Sequence, residues 1–522
     1  MNSPNNAAVL RSLIIYAICV PLAITVGYLL TNPMDYSTFG MFGIVALLLI
    51  SPLLLRWHHP LLVLSWNLGT SLFFIKGAPS LWLVMVALSL GISVLERTLS
   101  SQMHFIRVPQ ITWPLFCLAG VILVTAKFTG GIGLHAFGSN VYGGQKYISL
   151  LVGILSYFAL TAWRIPPERA GLYVALFFLG GATGFIGDLF SITPSWARFI
   201  FWFFPPTINS YSSFDVGETR LGGFTSTGVM VCCFLMAKYG VRGIFLSGRL
   251  WRLAVFFAAF SLIFFGGFRG RLATVGAIFI VLFFMEGLHR TRLLPIFAWF
   301  GIMGAVALIP LASKLPFTFQ RTLAFLPLHL DTQAKAAAQA TVDWRLDMWK
   351  ALLPQVPQYF LLGKGLAISP EDYNEVMGID VTLGNAAGSF DPSQNPLALS
   401  YDYHNGPLSV LIPFGVWGAI AVLWLFAAGL RVTYCNFRYG DPSLQTINLF
   451  LFAAFLTSIL FFLFVGGGLP TDIATFACYL GLSVSFNGGV CQPAPRPVPA
   501  KETPLLPRGV LPGARPRPAF PR

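Results

Sequence analysis

The chain has 522 residues, of which 56% are hydrophobic and 10% are charged, and its formal net charge is +14. Soluble domains carry about 25% charged residues, so this composition excludes an ordinary water-soluble protein. In a membrane protein a basic excess is typical of cytoplasmic loops that face lipid headgroups, and no nucleic-acid-binding motif is present.

Apolar runs of spanning length recur along most of the chain and predict an all-α, polytopic transmembrane helical bundle. We expect about fourteen helices, or twelve to thirteen, because the third and the last runs are short. The approximate spans are 9–30, 38–55, 60–75, 79–95, 112–129, 147–163, 170–190, 222–240, 251–267, 271–288, 293–311, 405–430, 445–467 and 471–487.

Four regions follow from this pattern. Residues 1–311 hold transmembrane helices 1 to about 11, and residues 312–404 form one large extracytoplasmic loop of short helices. Residues 405–490 hold the C-terminal transmembrane helices. Residues 491–522 are rich in proline and basic, which is typical of a disordered tail.

The distribution of lysine and arginine predicts the orientation of the bundle. Basic residues concentrate in alternate short loops, and such loops lie in the cytoplasm. Both termini are therefore expected inside and the large loop outside. The outer side then carries a few basic residues placed at helix ends: Arg220, Arg269, Arg271 and His404.

Arginines on that side are suited to binding phosphate. In 265-FGGFRGRLATVG-276, glycines allow a sharp turn that holds Arg269 and Arg271 near the membrane surface. Arg220 begins a span in the same way, ahead of Gly222 and Gly223. A planar guanidinium binds two phosphate oxygens and stays charged at any pH. The alternative is interfacial arginines that extend to lipid headgroups.

Two further segments border the large loop. The stretch 341-TVDWRLDMWKALLPQ-355 predicts an amphipathic helix capped by Thr341 or Asp343, with Arg345 facing either a neighbouring acid or a ligand. His404 is a candidate general base that Asp402 would orient, although a histidine at a helix mouth is more often structural. No metal-ligand pattern appears in the outer loops, and we read the adjacent pair of histidines, His58 and His59, as inner-loop residues.

Taken in order, these segments resemble the O-antigen ligase/polymerase superfamily of bacterial membrane glycosyltransferases. The resemblance covers roughly residues 200–430 and rests on four pieces: 220-RLGGFTSTG-228, 269-RGR-271, 345-RLDMWKALLPQVPQYFLLGKGL-366 and 403-YHNGPLSVLIPFGVWGAI-420. One position departs from the family pattern, because Phe268 precedes Arg269 where the family usually has serine.

The resemblance implies transfer of a glycan from a polyprenyl diphosphate to an acceptor hydroxyl at the outer face of the bacterial inner membrane, with inversion and without a metal or other cofactor. Acceptors in such families are lipid A-core sugars, growing polysaccharides or proteins. The catalytic residues would be His404, Arg269 and Arg220. Substrate-binding residues would be Arg345, Arg271, Asp402, Tyr403 and Asn405.

Other functions remain open on the sequence alone. The chief alternative is a polysaccharide or lipid-linked glycan transporter or flippase, although acidic residues are almost absent from mid-span positions, where such proteins often carry ionisable groups. A non-catalytic partner in envelope assembly is a third possibility. Within the superfamily, ligase, polymerase and protein O-oligosaccharyltransferase share the same donor chemistry.

Overall fold

The computed structural model describes residues 36–75, 78–99, 105–132, 144–210, 219–367 and 403–493, together with five positions between 20 and 27. Most of the predicted span 9–30, Asp402, and the tail from residue 494 lie outside the described residues. The described chain is almost wholly helical and forms a multi-pass membrane protein, which confirms the predicted fold class.

Fifteen α-helices of five or more residues are described. In chain order they are α1 (Tyr36–Ser65), α2 (Leu81–Leu99), α3 (Pro109–Phe128), α4 (Gly144–Thr161), α5 (Ala170–Gly180), α6 (Gly222–Phe245), α7 (Leu250–Leu262), α8 (Arg269–Met285), α9 (Leu293–Leu311), α10 (Phe317–Thr322), α11 (Thr332–Leu352), α12 (Gln355–Tyr359), α13 (Gly406–Tyr439), α14 (Gln445–Phe464) and α15 (Leu469–Asn487). Two short antiparallel strands, β1 (Ile208–Ser210) and β2 (Thr219–Leu221), precede α6.

Eight helical stretches in the described part of the chain are long and apolar enough to cross a membrane. They contain α2, α3, α5, α6, α9, α13, α14 and α15. Two buried hydrophobic clusters hold the bundle together. One joins α1, α2, α5, α6, α8 and α14, and the other joins α3, α4, α13 and α15.

The predicted spans 38–55 and 60–75 were wrong as separate helices, because α1 runs through Tyr36–Ser65 and residues 66–75 form a loop. The predicted inner-loop histidines are buried within α1. His59 Nε2 donates to the Leu160 carbonyl oxygen at 2.9 Å, and His58 Nδ1 shares a 2.9 Å hydrogen bond with the Ser89 hydroxyl. Since neighbouring helices supply these partners, the polar pair does not end the helix.

The amphipathic helix of the large loop begins earlier than predicted. It starts at Thr332, and its N-cap is Asp331, whose carboxylate accepts a 2.9 Å hydrogen bond from Gln333 N–H. Thr341 and Asp343, the predicted caps, lie inside α11. The alanine-rich segment ahead of Thr341 has high helix propensity, so the helix extends towards the N-terminus until a capping aspartate is reached.

Candidate active site

A cavity of about 1300 Å³ is lined by side chains from both the early and the late part of residues 200–430, the segment that carries the family resemblance. Among the residues predicted for the site, it is lined by Arg220, Arg269, Arg271, Arg345 and His404. The five residues come from β2, α8, α11 and the turn before α13. Residues that are far apart in the sequence therefore share one cavity.

Tyr403 and Asn405, which flank His404, have structural contacts instead. Tyr403 is only 2% exposed, and its carbonyl oxygen accepts a 2.8 Å hydrogen bond from Trp349 Nε1. The Asn405 side chain caps α13 by accepting from Leu408 N–H at 3.0 Å. Neither residue lines the cavity, so their described contacts fix the backbone on both sides of the histidine.

His404 itself has an unusual backbone conformation, with φ of 44°, which non-glycine residues rarely adopt. Its ring meets the edge of Trp344 with centroids 5.8 Å apart. A side-chain carbon at Gly466 would lie 3.1 Å from the His404 carbonyl oxygen, so the loop before α15 packs closely on this turn. A strained residue fixed on several sides is a common feature of functional sites.

Arg220 is held by the turn that precedes α8. Its Nε donates to the Gly266 carbonyl oxygen at 2.9 Å, and its guanidinium lies 3.9 Å from the centroid of the Phe268 ring. Burial lowers the pKa of Arg220 to about 10, so the side chain is still charged at neutral pH. Phe268, the departure from the family pattern, is thus the residue on which Arg220 stacks.

The helix after Arg220 is fixed by a buried carboxylate. Asp188, which is 4% exposed, accepts hydrogen bonds from Phe224 N–H at 2.7 Å and from the Thr207 hydroxyl at 2.5 Å. A side-chain carbon at Gly223 would overlap the Gly184 carbonyl oxygen. The glycine therefore allows α6 to approach this segment closely, and the two contacts set the position from which Arg220 extends.

Arg269 and Arg271 lie in the first turn of α8. Gly267 has φ of 65°, a left-handed conformation that reverses the chain just before the helix. Arg269 Nη2 donates to the Ala338 carbonyl oxygen at 3.1 Å, which links α8 to α11. Backbone N–H groups in the first turn of a helix lack intrahelical partners, so this end adds positive potential to that of the two guanidinium groups.

Two charged residues of the cavity were missed by the sequence reasoning. Arg321 in α10 is 7% exposed, and its Nη2 donates to the Thr341 hydroxyl at 2.8 Å. Asp472 in the first turn of α15 accepts a 3.0 Å hydrogen bond from Gly468 N–H. The available signal for Arg321 was an arginine within the otherwise uncharged stretch 315-LPFTFQRTLAFLPL-328, where a charge needs a partner or a ligand.

The turn Gly363–Gly365 of the large loop contacts α13 just before Gly415. Helix α13 is interrupted at Gly415, where φ is 62° and ψ is −162°. Lys364 N–H donates to the Ile412 carbonyl oxygen at 2.8 Å, and Gly365 N–H donates to the Pro413 carbonyl oxygen at 2.9 Å. This turn therefore anchors the loop to a broken membrane helix, because it satisfies backbone groups that the break exposes.

The charge balance of the cavity favours an anionic ligand. Its described lining holds five arginines against a single carboxylate, that of Asp472. Guanidinium groups bind phosphate oxygens in pairs, and a partly buried site weakens screening by solvent. The arrangement can bind a multiply charged anion such as a diphosphate, with one imidazole in the same cavity.

Comparison with known proteins gives one family match, whose description is O-antigen ligase and which covers residues 254–423. Most charged residues of the cavity, from Arg269 to His404, fall within the match, whereas Arg220 and Asp472 fall outside it. A search of curated proteins gives no match to the chain. The match supports the resemblance of this multi-pass membrane protein to the O-antigen ligase/polymerase superfamily.

Proposed function

We propose that the protein is a membrane glycosyltransferase that moves a glycan from a polyprenyl diphosphate to an acceptor hydroxyl. The observation that carries the proposal is the cavity that Arg220, Arg269, Arg271 and Arg345 share with His404. A diphosphate leaving group develops negative charge as its bond to the sugar breaks. Fixed cations beside that charge lower the barrier.

In the proposed reaction, His404 takes the proton of the acceptor hydroxyl. The acceptor oxygen attacks the anomeric carbon and forms the new glycosidic bond. The bond between that carbon and the phosphate oxygen breaks, and the diphosphate leaves with its electron pair. The arginines stabilise the departing anion, so the proposed reaction is independent of a divalent ion, and a single displacement inverts the anomeric configuration.

We place this reaction at the outer face of the bacterial inner membrane, with both termini in the cytoplasm and the large loop outside. The placement is supported by the basic residues that concentrate in alternate short loops. The acceptor is a lipid A-core sugar, a growing polysaccharide or a protein hydroxyl. Labelling of a single cysteine introduced at Gly388, with reagents that cannot cross the membrane, tests the orientation; labelling from the cytoplasm only would contradict it.

The decisive experiment supplies purified protein in EDTA with a polyprenyl diphosphate-linked glycan and each class of acceptor. We expect product with one acceptor class, and we expect Arg269→Ala or His404→Ala to reduce turnover by about 100-fold or more. Arg198→Ala is the matched control, since Arg198 is an exposed arginine outside the cavity lining and its loss should leave turnover unchanged.

Two outcomes would contradict the proposal. In one, turnover stays intact in both Arg269→Ala and His404→Ala. In the other, the protein moves the glycolipid across proteoliposomes but makes no new glycosidic bond, which would favour the transporter alternative.

A further inference from the structure

The wall of the cavity formed by the loop after α1 carries no formal charge. Its described lining residues are Trp66, Asn67, Leu68, Gly69, Thr70 and Ser71, joined by Ser80 and Trp82. They combine two indole rings with an amide and three hydroxyl groups. All of them lie outside the family match at residues 254–423, so this wall is not accounted for by the matched domain.

Backbone hydrogen bonds fix the shape of this wall. Leu81 N–H donates to the Thr70 carbonyl oxygen at 2.9 Å, and Ser71 pairs with Ser80 as an antiparallel bridge. This pairing brings Trp82 beside Trp66, with ring centroids 5.2 Å apart. The two indoles and the hydroxyl groups are therefore held together by backbone hydrogen bonds within the loop.

The loop is also attached to α5, which lies next to α6, the helix that follows Arg220. Asn67 Nδ2 donates to the Phe177 carbonyl oxygen at 2.9 Å, close to the point where α5 gives way to a tighter turn. A side chain at Gly181 would contact both Asn67 and Met230 of α6. The uncharged wall thus joins the arginine-bearing part of the cavity through α5 and α6.

Thr70 gives an independent indication of a ligand. It is only 9% exposed, and its hydroxyl has no hydrogen-bond partner among the described residues. A buried hydroxyl without a partner is destabilising, so such groups are usually paired. The oxygen itself is enclosed, so a bound molecule that carries hydroxyl groups can supply the partner once the Thr70 side chain rotates towards the cavity that the residue lines.

We infer that this uncharged wall is a binding site for a neutral pyranose ring. The inference rests on the proposed function and names the place where a sugar of one substrate is bound. Aromatic faces carry partial negative charge and attract the polarised C–H groups of a sugar ring. Amide and hydroxyl groups pair with sugar hydroxyls. The sugar belongs either to the glycan of the donor or to the acceptor.

The test uses Gly69, which lines the wall. A first side-chain carbon there would meet no atom within 4 Å, so Gly69→Leu adds apolar volume at a lining position without a clash at its Cβ. The matched control is Gly91→Leu in α2, where the added carbon also meets no atom within 4 Å and which is not among the lining residues of this cavity. Thr70→Val is a second variant, which removes one hydroxyl at nearly constant volume.

We expect Gly69→Leu to raise the KM for one substrate by about tenfold or more, and Thr70→Val to raise the KM for the same substrate by about fivefold. A change in the donor KM alone assigns the donor sugar, and a change in the acceptor KM alone assigns the acceptor sugar. Binding of polyprenyl diphosphate that carries no sugar should be unchanged in both variants, as should every constant of Gly91→Leu.

The inference would be overturned if neither KM moved, or if the variants weakened the binding of plain polyprenyl diphosphate as much as that of the glycosylated form. Failure of the proposed function is distinguishable, because in that case the wild-type protein makes no product at all. Equilibrium binding of a neutral glycan to the wild type and to Gly69→Leu then still tests the sugar site without turnover.

Discussion

Phe268→Ser should impair the proposed transfer reaction, although it restores the serine that the family pattern usually has at this position. The Phe268 ring lies 3.9 Å from the guanidinium carbon of Arg220. Gly266 leaves room for it, since a side-chain carbon there would lie 2.6 Å from the ring. In this protein the ring therefore takes part in orienting Arg220, whereas a serine side chain is too short to provide that surface.

The magnitude follows from the contact. A cation–π interaction at a partly buried site is worth about 1–2 kcal/mol. If that energy is needed to hold Arg220 against the departing diphosphate, kcat/KM should fall by about 5- to 30-fold. The hydrogen bond from Arg220 to the Gly266 carbonyl oxygen remains in the variant, so the loss should be smaller than that of Arg220→Ala.

The assay is steady-state transfer with purified variants, in which Phe268→Tyr retains the aromatic face and Phe268→Leu retains only apolar volume. Phe190→Ser is the matched control, because it removes the ring beneath Arg198, a pair outside the cavity lining. We expect the order wild type, Tyr, Leu, Ser in falling activity. Activity of Phe268→Ser equal to that of wild type would refute the idea that the ring orients Arg220.

Three more predictions concern the supports of the cavity. Asp188→Ala should lower the thermal unfolding temperature by several degrees, because it leaves a buried N–H and a hydroxyl without an acceptor. Asp188→Asn should recover part of the loss, and equal stability of Asp188→Ala and wild type would contradict this prediction. Arg321→Gln should weaken donor binding by about tenfold in an equilibrium measurement, and unchanged affinity would place Arg321 outside the site. Gly363→Ala should destabilise the protein by about 1–3 kcal/mol, since φ is 77° and the new carbon overlaps the Pro413 carbonyl. Gly301→Ala, at an exposed position of α9, is the stability control for Gly363→Ala, and equal unfolding temperatures of the two variants would count against the anchoring contact.

Much of the fold can be predicted from the sequence because membrane helices must be long, apolar and internally hydrogen-bonded. The prediction failed at α1, where a loop was expected at His58 and His59 and the helix continues through them. His58 and His59 look like a loop signal, yet Ser89 and the Leu160 carbonyl pair with them inside the bundle. Partners of this kind come from distant segments, and nothing in the local pattern reports them.

The site was predictable where a family-like motif contains a charge, and not elsewhere. Arg269 and His404 stand out beside glycines, asparagine and aspartate at helix ends. Arg321 lies between apolar segments and gives no motif, and Trp66 looks like a residue inside a span. Both residues line the cavity because of the way the helices pack. That packing cannot be predicted from the local sequence around either residue.

The arginine-rich wall and the uncharged wall together offer a reason for the large volume of the cavity. Sites for single small molecules occupy about 300–1,000 Å³, and this cavity measures about 1300 Å³. An arginine-rich wall suits a diphosphate, and an uncharged aromatic wall suits a sugar. In the proposed reaction, the first wall would hold the diphosphate while the second holds a sugar of one substrate. Binding of donor and acceptor in one cavity would permit direct attack of the acceptor on the donor, without a covalent glycosyl-enzyme intermediate, and a direct displacement requires inversion at the anomeric carbon.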